Sequence, residues 1–566
     1  MLPSLGSTVS TEMNLIRFRW SVDCSAINED GALLIFGWVV HDTRAVVALR
    51  AALRFNDGSQ QAFELVYGIE RPDVERAIRD NPRAASCGYY YFGQAQRTDV
   101  VALSLEAQLD DGECAVLPTN STIVPSRYDA AEEGGPKRAA VYGYLAARAW
   151  RFILSGRFVD LISTARRYLR GKPKQVTDSI GHVRRLAAAA KSVQLFIDHD
   201  LGGGANHVRH TLVKEQLAAR GVVFVLTFHV PTLQYVLECR RRDASERLVV
   251  DIDALLRALP TLGLERVHWN NAVSFTRPLV LLDAITLLAR HQAVPVTYYL
   301  HDYHCICPSH FLLGCDGRYC GLGDIGQCAA CLPNIHDGLT SLFSERDIHL
   351  WRRRWDAFLS ATDEIIYFSQ ASLALVIRTY PQLARHAGLK LRPHSIADFP
   401  ARSIGVDLQA PLNIGIVGRI NGHKGAHVVR QMAQAIEARG ADAHITVLGA
   451  IDGLNRSRLV TITGSYQRDE LPELIARHRI NVIAFTSIWP ETFSYVVAEV
   501  MSLNLPIVCF DLGAPAERLK QYAFGRVVPL GDGAALLDAA EALRKALSST
   551  AGGGQVPPAG CPAVSL

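Results

Sequence analysis

Apolar runs recur along this chain, and what separates them changes part-way. Between Arg17 and Val124 the runs LLIFGWVV, VVALRAALRF, QAFELVYG and VVALSLEAQL are divided by Asn56-Asp57-Gly58 and Asp110-Asp111-Gly112. Short β-branched and apolar segments punctuated by Asp-Gly turns predict a small all-β sandwich over residues 11–126. From Ser192 the rhythm becomes strand, turn, helix. VQLFI runs into Asp198-His199-Asp200-Leu201-Gly202-Gly203-Gly204, which opens a helix towards Ala219, and GVVFVLTF, VPVTYYLHDY and EIIYFS read as further buried strands. Such alternation predicts a parallel sheet wound on both sides, residues 192–400. A second series starts at NIGIVGRI and continues through AHITVLG, VTITG, NVIAFTS and PIVCF, predicting another α/β domain over 411–547. The polar, Pro-bearing DFPARSIGVDLQAP between them reads as a hinge. The predicted fold is thus α/β: two Rossmann-like domains preceded by a β-sandwich.

Charge adds a further element. Residues 137–191 carry thirteen Lys and Arg against two Asp, with Leu145, Trp150, Phe152, Ile153, Phe158, Leu161 and Ile162 among them. This predicts a basic, partly amphipathic helical linker. It can lie on an anionic membrane, each basic residue contributing about 1 kcal/mol near the headgroups, or pack as a solvated helix on a neighbouring domain. The net charge of +4 over 566 residues is too small to argue for nucleic acid. At 49% hydrophobic and 20% charged residues the composition is that of a folded protein, and the length suggests about three domains. The first residues lack the pattern of a secretory signal, and no run approaches the roughly 18 apolar residues of a membrane span. The expected location is cytoplasmic, with peripheral contact at the inner face of the cytoplasmic membrane. Residues 548–566, rich in Gly and Pro, are expected to be disordered.

The chemistry concentrates in the last domain. Gly418-Arg419-Ile420-Asn421-Gly422-His423-Lys424-Gly425 follows the strand NIGIV and leads into the helix HVVRQMAQAIEA. Glycines let the backbone approach a phosphate, the helix N-terminus offers free amides, and Arg419 and Lys424 add two positive charges suited to a diphosphate. Downstream, Glu491 and Glu499 stand eight residues apart in PETFSYVVAEVMSLNLPIV, read as the first two turns of one helix with both carboxylates on nearly one face. Alone, such a pair is as common on a solvated helix; beside the phosphate turn it suggests two acceptors for sugar and ribose hydroxyls.

These motifs resemble glycosyltransferase family 4, a retaining family of the GT-B fold, with its GRxxxxKG turn at Gly418 to Gly425 and its E-x7-E motif at Glu491 and Glu499; the resemblance covers roughly residues 192–545. It implies a nucleotide diphosphate sugar as donor, held by Gly418, Arg419 and Lys424 at the diphosphate, Glu499 at the ribose, and Glu491 with Thr492 and Phe493 at the transferred sugar. It also implies a glycan or lipid-linked saccharide acceptor, use in bacterial surface polysaccharide or lipopolysaccharide synthesis, and no catalytic metal. Ser494, Ser502 and Asn504 depart from the family pattern, which more often has small residues including glycine there. Gly202, Gly203 and Gly204 resemble the glycine-rich turn that brings backbone amides to the donor phosphates and acceptor, with His207 a weaker candidate; a plain tight turn is the alternative. His301, in Leu300-His301-Asp302-Tyr303, resembles the family histidine that reaches the donor sugar, with Asp302 orienting it; a structural histidine at a strand end is the alternative. Asp251-Ile252-Asp253 reads as the start of a helix. Gly37-Trp38, Arg71-Pro72-Asp73-Val74 and Cys87-Gly88-Tyr89 resemble an accessory sandwich fused to bacterial glycosyltransferases, where Trp38 is either a core residue or an exposed sugar platform. A GT-B sugar phosphorylase or epimerase, and a non-catalytic glycan-binding scaffold, are the rival readings.

A cysteine-rich insertion, residues 304–333, follows the HDY run. Cys307, Cys320, Cys328 and Cys331 stand at intervals of twelve, seven and two residues, and the closing CxxC suits two thiolates on one metal ion. The expectation is a structural zinc, with Cys305, Cys315, His304 and His310 as further candidate ligands and buried free thiols or redox chemistry as the alternatives.

Overall fold

The computed structural model describes residues 17–550, apart from 70, 120–122, 127–175, 177, 219–220, 336–337, 343–344, 397, 401 and 455. Most of the basic linker and the C-terminal tail therefore lie outside the described residues. The chain divides into two compact units, one of residues up to 294 with 336–345, the other of residues 295–335 and from 346 onward.

The first unit begins with β1 (Phe18–Asn28), β2 (Ala32–His41), β3 (Val46–Phe55), β4 (Gln60–Glu64), β5 (Val66–Ile69), β6 (Gly88–Gln94), β7 (Val100–Leu109), β8 (Cys114–Pro118) and β9 (Val124–Ser126). They form a sheet in the order β5-β6-β2-β1-β9 and another in the order β4-β3-β7-β8, antiparallel except for β1 with β9. Register explains the core: Leu49, Ala51 and Leu53 of β3 stand opposite Ala107, Leu105 and Leu103 of β7. All six are buried, in one cluster with Leu33, Ile35 and Val39 of the other sheet. Trp38 is half-buried against Val40, Val74, Ile78, Ala84 and Cys87, which favours its core reading. The sandwich is fastened to the α/β part of its own unit by Asn28, whose amide donates to the Leu233 carbonyl at 3.3 Å, and by Asp30, which accepts from the Thr276 hydroxyl at 2.7 Å.

That α/β part contains β10 (Val193–Ile197), β11 (Val222–His229), β12 (Gln234–Arg241), β13 (Ala244–Val249) and β14 (Arg266–Trp269). β10 runs parallel to β11 and β14, as the alternation predicted. The alternation gave no sign of the antiparallel hairpin β12–β13, which turns at Arg242-Asp243 and carries the Arg240–Glu238 ion pair at 2.7 Å. Asp251 caps the helix Ile252–Ala258, accepting from the Ala254 amide at 2.6 Å, so Asp251-Ile252-Asp253 is a helix start as expected.

In the second unit β15 (Val296–Tyr299), β16 (Glu364–Tyr367) and β17 (Leu389–Leu391) pair in parallel. Then come β18 (Leu412–Ile420), β19 (Ala443–Ile451), β20 (Val460–Ile462), β21 (Val482–Phe485), β22 (Ile507–Phe510) and β23 (Gly525–Val528), all parallel, in the order β20-β19-β18-β21-β22-β23. Their near-continuous apolar sequences fit strands buried on both faces. Chain order reverses between β18 and β21. In a doubly wound sheet the crevice at the carboxyl ends of such a strand pair is where ligands bind.

Candidate active site

The loops leaving β18 and β21 carry most of the predicted site residues. The segment Gly418–Gly425 begins on the last residues of β18 and turns into helix α1 (Ala426–Arg439), whose first residue is preceded by Gly425 in a left-handed conformation with φ of 82°. Only glycine fits there: a Cβ would lie 2.0 Å from the Thr486 carbonyl oxygen. No side chain caps this helix; its first amide, that of Ala426, donates to the Asn421 carbonyl at 3.0 Å, and the helix dipole favours an anion at this end. Lys424 reaches from the turn to Glu491, Nζ to Oε1 at 2.5 Å, and Glu491 is only 3% exposed. Arg419 is placed differently. Its side chain is 73% exposed and stands 3.8 Å from Asp452.

After β21 the chain is buried throughout Thr486–Ser494. Glu491 does not sit on a helix as the sequence suggested. The helix is α2 (Tyr495–Ser502), started by Ser494 as N-cap, so Glu491 lies in the loop before it and Glu499 on the helix proper. Pro490 and the Ser494 cap are the local reasons. The two carboxylates take separate cations. Glu499, 4% exposed, accepts from Arg468 Nε, and Arg468 Nη1 bonds Asp398 at 2.8 Å. Burial raises the Glu499 carboxyl above its ordinary range, against the pull of Arg468. The Arg468 guanidinium also lies over the rings of Phe399 and Tyr495, at 5.3 and 5.8 Å. The family departures have local roles: Ser502 donates to the Glu499 carbonyl at 2.7 Å, and Asn504 adopts φ of 57°, a conformation Asn tolerates.

Thr492 and Phe493 are buried. The Thr492 hydroxyl donates to the His301 carbonyl at 2.8 Å, and Phe493 packs against His394, Tyr495 and the Arg518 guanidinium, the last 4.9 Å away. His301 itself stacks on His394, with centroids 5.7 Å apart and planes 11° from parallel, and lies 4.8 Å from Phe368. Asp302 accepts from the His304 amide at 2.8 Å. His301, Lys424, Glu491, Thr492, Phe493 and Glu499 thus all belong to the second unit.

Gly202, Gly203 and Gly204 belong to the first unit, between β10 and helix α3 (Gly204–Ala218). Gly202 and Gly203 have φ near 87° and face open space. Their loop is fixed by a buried network that sequence reading missed. Asp198, 0% exposed, pairs with Arg209 at 3.0 Å, and Asn206 accepts from the Gly202 amide at 2.7 Å while donating to Asp198 at 2.7 Å. His207 is exposed at the start of α3.

The zinc expectation finds no support. Among the described residues no three His, Cys, Asp or Glu side chains are gathered closely enough to hold a metal ion, and the described cysteines are free thiols. Cys307 is a thiol pushed up to about 12 by burial, while Cys328 receives the Arg352 guanidinium at 3.4 Å and Cys331 the Cys315 amide at 3.3 Å. Hydrogen bonds hold the segment instead: Tyr380 to the Cys305 carbonyl, Trp351 to that of His304, and Arg378 to that of Leu322, at 2.6, 2.8 and 2.6 Å.

A helix N-terminus without a side-chain cap and a half-buried lysine at the switch point of a parallel sheet are features by which α/β domains hold phosphorylated ligands. Residues 411–546 match the family described as Glycosyl transferases group 1, so the chain carries a domain of that family. Among solved structures it is similar to Anabaena HepE in complex with UDP, at 15% identity over 64% of this chain and 91% of that one, TM-score 0.38. It is also similar to the sucrose-phosphate synthase of Thermosynechococcus elongatus, at 16% identity over 63% and 92%, TM-score 0.39. A glycosyltransferase from Rickettsia africae stands at 12% identity over 63% and 92%, TM-score 0.38. No curated protein matches the chain. Among the described residues no helix is long and apolar enough to cross a membrane.

Proposed function

We propose that this glycosyltransferase takes a sugar from a nucleotide diphosphate donor and transfers it, with retention, to a glycan or lipid-linked acceptor in bacterial surface polysaccharide or lipopolysaccharide synthesis. The observation that carries the donor assignment is the Lys424–Glu491 pair beside the uncapped N-terminus of α1, inside the group 1 domain. Lys424, Arg419 and the α1 amides offset the charge that builds on the departing diphosphate. Glu499 accepts from the ribose hydroxyls and Glu491 from those of the transferred sugar. His301, with its carbonyl tied to Thr492, reaches the same sugar. The basic segment 137–191 gives the enzyme an electrostatic hold on an anionic membrane where a lipid-linked acceptor resides.

Release of nucleoside diphosphate from a panel of nucleotide sugars, UDP-glucose included, tests this reading. Turnover that falls at least about a hundredfold in Glu491→Gln and in Lys424→Ala is expected, a loss typical of removing one transition-state donor or its partner. Phosphate-dependent turnover without a nucleotide would point to a phosphorylase, and unchanged function in the cell in both variants to a non-catalytic scaffold.

A further inference from the structure

The cysteine-rich segment is not remote from the chemistry. Its residue Phe311 stacks on His423 of the phosphate turn, with centroids 4.0 Å apart and planes 25° from parallel, and meets Trp489 at 4.7 Å. His423 precedes Lys424, and Trp489 lies two residues before Glu491, so these rings belong to the two stretches of chain that supply the Lys424–Glu491 pair. Hydrogen bonds fix the arrangement. The Tyr303 hydroxyl donates to the Pro490 carbonyl at 2.6 Å, and the Ile488 amide to the His423 carbonyl at 3.2 Å. Burial, with help from Lys424, lowers His423 to about 3, so the wall is uncharged at neutral pH.

One polar group in this wall lacks a partner. Trp489 is 7% exposed, and its indole N–H is buried without a hydrogen-bond acceptor. Buried donors are nearly always satisfied, and an orphan beside a binding residue asks for a ligand acceptor. An uncharged aromatic wall does not suit a phosphate. It suits a pyranose, whose C–H face packs on rings while its hydroxyls offer acceptors around the rim.

Resting on the donor-site reading above, we propose that Phe311 and Trp489 form the wall of the donor-sugar subsite and set which hexose is transferred, Phe311 by packing on the sugar face and the Trp489 N–H by binding one hydroxyl. A site built to bond one hydroxyl rejects the epimer that lacks it far better than an apolar surface does. The cysteine-rich segment is then the scaffold that presents Phe311.

The test compares wild type, Phe311→Ala, Phe311→Leu and Trp489→Phe, each first checked for a wild-type-like melting transition. Two quantities are measured: affinity for the free nucleoside diphosphate, and kcat/KM for its sugar conjugates in pairs of hexose epimers. Nucleoside diphosphate affinity is expected to stay within about twofold in all variants. Phe311→Ala should lower kcat/KM for the preferred donor about tenfold or more, with partial recovery in Phe311→Leu. Trp489→Phe should cut discrimination between epimers about tenfold. Equal losses for both epimers, or loss of nucleoside diphosphate affinity in step with turnover, would overturn the proposal while leaving the donor site standing. A wild type that binds no nucleotide would overturn both.

Discussion

The molecule contains two glycine-rich turns from a parallel strand into a helix, and they are held by opposite means. Around Gly202–Gly204 the glycines face open space, and the loop is shaped by side chains, with the Asp198–Arg209 pair and Asn206 buried beneath it. Around Gly418–Gly425 the backbone itself is the fit, with Gly425 pressed against Thr486, and the side chains are left to project Lys424 towards Glu491. Both turns carry a histidine kept neutral by burial, His199 in the first and His423 in the second. The same sequence signal can therefore mark a loop shaped by side chains buried beneath it, or one in which a lysine reaches out to a carboxylate.

The contrast can be broken at several points. Arg209→Ala strands a fully buried Asp198 and is expected to cost about 3–5 kcal/mol, read from urea denaturation. Gly425→Ala forces backbone to move and should cost about 2–4 kcal/mol by the same measurement. The two histidines sharpen the pH dependence. A histidine whose folded pKa lies below its ordinary 6.5 stabilises the fold above 6.5, and that stability is lost as pH falls from 6.5 towards the folded value, about 3 for His423. Melting curves from pH 7 to 4 should show this acid sensitivity reduced in His199→Gln, and in His423→Gln reduced by about 1–3 kcal/mol at pH 4.5. Gly203→Ala meets no neighbour and carries only the cost of a left-handed alanine, about 1 kcal/mol.

What the sequence disclosed follows from what is local. Strands such as NIGIV and the turn Gly418–Gly425 are continuous in the chain, so spacing and composition were enough. The start of α2 was misread because Glu491 and Glu499 have helical spacing, whereas Ser494 captures the Val497 amide and begins the helix after Glu491. Arg468 was invisible for another reason. In QRDEL it reads as one solvated charge among several, and only the fold brings it to Glu499, Asp398, Phe399 and Tyr495. Phe311 was hidden by the cysteines around it, whose spacing suggested a metal, while Arg352, Arg378, Trp351 and Tyr380 do the holding from other parts of the chain.

The central claim is that the Gly418–Gly425 turn and Lys424 bind a nucleotide diphosphate, and thermal melting against a nucleotide panel tests it most directly. A nucleotide at a hundred times its dissociation constant should stabilise the wild type by about 2.7 kcal/mol. The account predicts such a shift with one nucleoside diphosphate class, lost in Lys424→Ala and weakened in the more exposed Arg419→Ala. No shift with any nucleotide, or an undiminished shift in Lys424→Ala, would contradict it.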